Sequence, residues 1–159
     1  MIEKVYVESS IIGAYFEERK DVVSVAQKHW TQIWWDSLRI NYNVVISQAV
    51  YEELSHPDYP NSQQALKLIE NIPEVSIEEE IREIVNVYIQ KKIMPQNPFG
   101  DALHLALASY HKCDYLLTWN CKHIANPNKF QQIRIYNNSM GLYVPILTTP
   151  NQMIGGYYD

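Results

Sequence analysis

A chain of 159 residues, 47% hydrophobic and 19% charged, fits one globular domain that buries roughly two-thirds of its unfolded surface, which excludes a disordered or low-complexity protein. The net charge of -5 excludes nucleic-acid binding by electrostatics alone. It leaves room for a metal-dependent nuclease, in which a cation supplies the charge that meets the phosphate.

Val5-Tyr6-Val7 is a short apolar run that reads as a first strand, and the hydroxyls of Ser9 and Ser10 are placed to cap the helix after it. From about Asp21 to Tyr42 apolar residues recur every three or four positions (Val22, Val25, Ala26, Trp30, Ile33, Trp34, Leu38, Ile40), which predicts a long helix with one broad buried face. Trp30, Trp34 and Trp35 are read as core or dimer surface rather than a ligand platform. Val44-Val45-Ile46 predicts a second strand, with Ser47 capping a helix through Leu54. Pro57, Asp58, Pro60 and Asn61 make a loop, and Ser62 caps a helix reaching about Asn71. Val75-Ser76-Ile77 is a third strand. Ser76 and Glu79 have capping-box spacing before a helix with Ile81, Ile84, Val85, Tyr88 and Ile89 on one face. Pro98-Phe99-Gly100 leads into the most apolar helix, Asp101 to Lys112, which should be central. Tyr115 to Trp119 is a fourth strand, Asn126-Pro127 opens a helix that stops by Gly141, and Val144 to Leu147 is the last strand. Residues 1–150 are expected to form one domain and 151–159 a C-terminal tail. Strands that alternate with helices throughout imply an α/β fold, a parallel sheet covered by helices on both sides.

In such sheets ligands bind at the carboxyl ends of the strands. Glu8 follows the first strand, Glu53 lies about two turns into the helix after the second, Asp101 begins the central helix, and Asn120 follows the fourth strand. Carboxylates gathered there repel one another unless a cation lies between them, and oxygen-only ligands suit Mg²⁺ or Mn²⁺ better than zinc. Singly, each has an ordinary reading: Glu8 as a turn residue, Glu53 as an exposed neighbour of Glu52, Asn120 as part of a turn. Asp101 is harder to dismiss, being the one acid in a helix with almost no solvent face, although helix N-termini favour acids anyway.

Four stretches, Tyr6-Val7-Glu8-Ser9-Ser10-Ile11, Ile46-Ser47 through Glu53-Leu54, Asp101-Ala102-Leu103-His104-Leu105-Ala106 and Asp114 through Asn120, occur in an order that resembles the PIN-domain family, especially the VapC-type ribonuclease toxins of bacterial toxin–antitoxin pairs. The resemblance implies a three-layer α/β/α, Rossmann-like sandwich with a five-stranded parallel sheet, often a homodimer, and Mg²⁺- or Mn²⁺-dependent cleavage of RNA, with a small antitoxin protein as a further partner. It implies Glu8, Glu53 and Asp101 as catalytic metal ligands, Asn120 as a neutral outer ligand, and Ser10 and Thr118 as supporting residues near the first carboxylate. Two departures stand out. Glu8 occupies a position that is usually Asp, and Asn120 removes a charge from the last acid position, so one cation rather than two is expected. The chain is similar in both respects to a branch of PIN-like proteins that carries the stretch Thr118 to Asn126.

His104, three residues after Asp101 and on the same helical face, is read as packed or capping, with contact to substrate or a leaving oxygen as the alternative. Lys122 and His123 are candidates to meet an RNA phosphate, against a solvated loop. His111 and Cys113 stand at the far end of a strand roughly 20 Å long from Cys121 and His123, which prevents a zinc site. Two cysteines, no visible leader after Met1 and no apolar run near the roughly 20 residues of a membrane helix make a cytoplasmic protein without a membrane anchor the expectation. The leading function is a metal-dependent ribonuclease. Its competitor is a catalytically weak or inactive PIN fold that binds RNA or protein, motivated by Asn120. A nucleotide-binding Rossmann enzyme lacks any Gly-x-Gly-x-x-Gly or phosphate-loop motif to support it.

Overall fold

A computed structural model describes residues 1–96 and 100–155, so the expected opening of the central helix at Pro98 and Phe99 lies outside the described residues. Strand β1 (Lys4–Val7) is followed by α1 (Ser9–Tyr15) and α2 (Val22–Ile33). A π-helical turn (Trp34–Leu38) and a 3-10 turn (Arg39–Asn41) lead into β2 (Asn43–Ser47). Then come α3 (Gln48–Ser55), α4 (Ser62–Ile69), β3 (Glu74–Val75), α5 (Glu79–Gln90), α6 (Asp101–Tyr110), β4 (Tyr115–Leu117), α7 (Pro127–Ser139), β5 (Ile146–Thr148) and α8 (Pro150–Met153).

The strands form a five-stranded sheet in the order β3-β2-β1-β4-β5, and every pairing is parallel. Right-handed crossovers moving outward from β1 through β2 to β3 put α1 to α4 on one face, and the return to β4 and β5 puts α5 to α7 on the other. Packing agrees: α1 contacts α2, α3 and α4, while α5 packs on α6. This is the three-layer α/β/α arrangement. Val5, Tyr6, Val7, Leu116 and Leu117 are fully buried, as expected of strands covered on both faces. All positions of α6 from Ala102 to Ser109 are buried, so the central helix is where its composition places it. No helix among the described residues is long and apolar enough to cross a membrane.

The expected long second helix is broken. Its regular part ends at Ile33, and the π turn lets the consecutive Trp34 and Trp35 both turn inward, with 0% and 3% exposure. At the other end, Val22, Val23 and Val25 are exposed. The buried positions of α2 are instead Ser24 and Thr31. Thr31 donates to Gln27 O at 2.6 Å and accepts Trp119 Nε1–H at 2.7 Å, so its hydroxyl is satisfied inside. Trp30 stacks on Trp119 and Trp34 on Tyr42. The segment after β5 is also not wholly a tail, since α8 packs against α2 and Ile154 is buried.

Three helices end in the same way. Beyond α5, α6 and α7 the residues Lys92, Lys112 and Gly141 have φ of 57°, 54° and 70°. Each is followed by a residue whose N–H reaches back into the last turn: Ile93 to Tyr88 O, Cys113 to Ala108 O, Leu142 to Asn137 O. This is the Schellman arrangement, in which glycine is the favoured left-handed residue. Lysine there costs about 1–2 kcal/mol, of which glycine's extra unfolded-state entropy returns about 0.5–1. Exposed Lys112→Gly is therefore expected to raise stability by about 0.5–1 kcal/mol, seen as a Tm increase of about 2 °C. A decrease would show that the Lys112 side chain makes a stabilising contact.

Candidate metal centre

Strand order reverses at β1, with β2 and β3 to one side and β4 and β5 to the other, and crevices at such switch points are where open α/β sheets bind ligands. The first residue past β1 is Glu8. It is the N-cap of α1, with extended backbone, and its own carboxylate accepts the Ser10 N–H; the capping role expected of Ser9 and Ser10 belongs to the acid. Glu8 is only 7% exposed. Its Oε1 accepts from the hydroxyls of Ser10 and Thr118, each at 2.5 Å, and its Oε2 from Ser9 Oγ at 2.8 Å and Ser10 N at 3.0 Å. Ser10 and Thr118 thus grip the first carboxylate from α1 and from the end of β4.

Glu53, half-buried on α3, faces the same point. Its Oε2 lies 2.5 Å from Ser9 Oγ, whose single hydroxyl proton is shared between this carboxylate and that of Glu8, and its Oε1 accepts from His104 Nε2 at 2.5 Å. His104, on α6, is 2% exposed. Its other nitrogen, Nδ1, is 2.7 Å from the Tyr6 hydroxyl, which is 2.7 Å from Ser47 Oγ. Ser47 starts α3 without a side-chain cap bond, its hydroxyl being turned to Tyr6 instead. A continuous polar chain therefore runs from Ser47 inside the core through Tyr6, His104, Glu53 and Ser9 to Glu8.

Charge accounts for the titration of these groups. Burial opposes protonation of His104, but the Glu53 hydrogen bond and the charges of Glu8, Glu53 and Asp101 outweigh it and move the imidazole above its ordinary value. Burial raises Glu53, and the bond and charge of His104 with the Ser9 hydroxyl pull it below the usual carboxylate value. Asp101 is raised, first by burial and then by the negative charge of Glu8, against the opposing charges of His123 and His104 and the Asn120 hydrogen bond. Tyr59, close to Glu8 and Glu53, is pushed up to about 12 by burial and by those two charges with Glu17. Its hydroxyl lies 2.8 Å from where a Cβ on Gly13 would stand, so a larger residue there would push the end of the tyrosine aside.

Ligand atoms of Glu8, Glu53 and His104 all lie within 4.8 Å of one another. Atoms on opposite sides of a cation bonded at about 2.1 Å stand about 4.2 Å apart, so small side-chain movements close this group around one ion. The donors fit: two carboxylates and an imidazole. Asp101 stands outside this group, within the field of Glu8. Asn120 is engaged by its neighbours through both amide atoms. Its Nδ2 donates to Asp101 Oδ1 at 2.7 Å, and its Oδ1 accepts the His123 N–H at 3.0 Å. Reversing the amide would set two donors face to face at His123, which fixes this orientation. Lys122 is exposed, and its carbonyl accepts from Asn126 Nδ2. His123 lines a cleft of about 610 Å³ together with Lys92, Met94 and Lys129.

Sequence reasoning passed over Ser9 as a bridge between the two glutamates, Tyr6 and Ser47 as supports, and His104 as a ligand. The usable signal was a histidine in a helix with no solvent face, since both ring nitrogens then need partners. The sequence matches no model of a known protein family, and a search of curated proteins finds no match.

Proposed function

We propose that the chain is a metal-dependent endoribonuclease of the PIN type, with a divalent cation, Mg²⁺ or Mn²⁺, held between Glu8 and Glu53 and within reach of Asp101. The observation that carries this reading is the meeting of Glu8, Glu53 and His104 within 4.8 Å at the switch point of a parallel sheet. Ser10, through its N–H and its hydroxyl, and Thr118 orient Glu8, and His104 orients Glu53. Asp101, kept toward its protonated form by burial and by Glu8, is the carboxyl best placed to exchange a proton when charge enters the site. The cation would supply Lewis-acid charge for a phosphodiester and for attacking water. Lys92 and Lys129, along a cleft that His123 also lines, supply cationic partners for phosphates, which offsets the chain's net negative charge locally.

In the test, purified protein cuts single-stranded RNA in Mn²⁺, stops on addition of EDTA, and resumes when Mn²⁺ is restored. Cleavage that persists in EDTA contradicts the proposal. Two observations favour the second reading, a module that binds RNA or protein without cutting: Glu8 already accepts from protein donors, and Asn120 turns its amide nitrogen to Asp101. Under that reading RNA is retained uncut, and calorimetry detects no Mn²⁺ binding below about millimolar.

A further inference from the structure

We infer that His104 is a direct nitrogen ligand of the cation, so that the site prefers first-row transition ions such as Mn²⁺ over Mg²⁺. The inference rests on the metal-site part of the proposed function and is independent of the RNA part.

Three observations lead to it. First, the fourth position at the sheet's edge offers a cation no charge: Asn120 is neutral, its oxygen already accepts the His123 N–H, and its nitrogen donates to Asp101. Second, His104 reaches the carboxylates from the opposite wall. Its Nε2 stands 2.5 Å from Glu53 Oε1, inside the group that also contains Glu8. Third, the far side of the ring has the support that metal-bound imidazoles have, a hydrogen-bond partner on the second nitrogen that fixes the ring and its tautomer. Tyr6, fully buried, holds Nδ1 and is itself held by Ser47.

The Tyr6 hydroxyl can serve either tautomer. With hydrogen on Nε2, donated to Glu53, Tyr6 donates to Nδ1 and accepts from Ser47. With hydrogen on Nδ1, Tyr6 accepts from the ring and donates to Ser47, and Nε2 presents a lone pair toward the two carboxylates. A relay of hydroxyls is thus indifferent to direction, where a carbonyl or an ammonium in place of Tyr6 would permit only one sense. Magnesium takes oxygen ligands in near-ideal octahedra, whereas an imidazole nitrogen favours transition ions. One nitrogen among two carboxylates should therefore separate Mn²⁺ from Mg²⁺.

The test is pulsed EPR of EDTA-stripped protein loaded with one equivalent of Mn²⁺. The expected result is hyperfine coupling to a bound imidazole nitrogen that changes on ¹⁵N-histidine labelling and is absent from His104→Gln. Mn²⁺ is also expected to raise Tm at concentrations at least about tenfold below those at which Mg²⁺ does, and His104→Gln to reduce that ratio to about threefold or less. Tyr6→Phe keeps the nitrogen and removes its support, so the coupling persists while Mn²⁺ affinity falls about 10- to 100-fold. Should His104→Gln not fold, the labelled wild-type spectrum decides by itself. Bound Mn²⁺ without nitrogen coupling overturns the assignment and leaves an oxygen-only site. Absence of any Mn²⁺ binding overturns the assignment and the metal site together.

Discussion

Asp101→Asn is expected to lower Mn²⁺-dependent RNA cleavage at least about 100-fold, equivalent to about 2.7 kcal/mol of transition-state stabilisation. The substitution is nearly isosteric, and the amide oxygen can still accept from Asn120 Nδ2, 2.7 Å away in the native protein. What disappears is one carboxyl, within the field of Glu8, able to exchange a proton as charge enters the site. Stability of the metal-free protein should move the other way. Folded Asp101 binds its proton more tightly than the unfolded residue, because of burial and the charge of Glu8. Its ionisation therefore weighs against folding once the pH has risen through the raised folded value, and that cost is absent below the ordinary aspartate value of about 3.9. Removing the charge should leave Tm at neutral pH unchanged or slightly higher. The pair of readouts separates lost chemistry from lost structure. Equal cleavage by wild type and variant would assign the activity to another site or to a contaminating nuclease.

Asn137→Ala is expected to cost about 3–4 kcal/mol of stability and to leave Mn²⁺ affinity alone. Asn137 is fully buried on α7 and joins three elements on the face of the sheet formed by α5 to α7. Its Oδ1 accepts from the Tyr88 hydroxyl at 2.5 Å, and its Nδ2 donates to Ser109 Oγ and to Tyr143 O, each at 2.9 Å. Alanine leaves a buried phenol without its best acceptor, a carbonyl without its donor, and a void. Each unsatisfied group costs about 1–3 kcal/mol, partly recovered here because Tyr88 can turn more fully to Ser109, at 3.4 Å. For a chain of this length the loss corresponds to a Tm decrease on the order of 10 °C. The Glu8, Glu53 and His104 side chains make no hydrogen bond to this network, so metal binding by the folded fraction should be unaffected. A change of under about 1 kcal/mol would mean that water replaces the amide.

Much of this architecture was legible in the residues. Apolar runs at Val5, Val44 and Leu116, alternating with helical periodicities, led to the parallel sheet, and the composition of Asp101 to Tyr110 led to the central helix. The second helix was less legible. Its valines have helical spacing, but Ser24 and Thr31 are buried in their place; at Thr31 the hydroxyl bonds back to Gln27 O, which lets it enter a core that hydropathy counts forbid it. The inward turn of both Trp34 and Trp35 depends on a π turn that no local propensity marks.

At the candidate site, Glu8 and Glu53 were found by their places after successive strands, and Ser10 and Thr118 by resemblance. The role of His104 was hidden because its partner, Glu53, is 51 residues away and helical spacing could relate it only to Asp101. Asn120 was expected as a neutral outer ligand, and which of its amide atoms faces the site depends on its neighbours. Here the backbone N–H of His123 decides it.

The most direct measurement is anomalous diffraction at the manganese edge from a crystal soaked in Mn²⁺ after removal of bound metal. One peak is expected, about 2.1–2.3 Å from carboxylate oxygens of Glu8 and Glu53 and from His104 Nε2, with the His104–Glu53 hydrogen bond replaced by the ion. No peak there at millimolar Mn²⁺, with the Glu8, Glu53 and His104 side chains hydrogen-bonded as in the metal-free protein, would contradict the metal centre and the nuclease built on it.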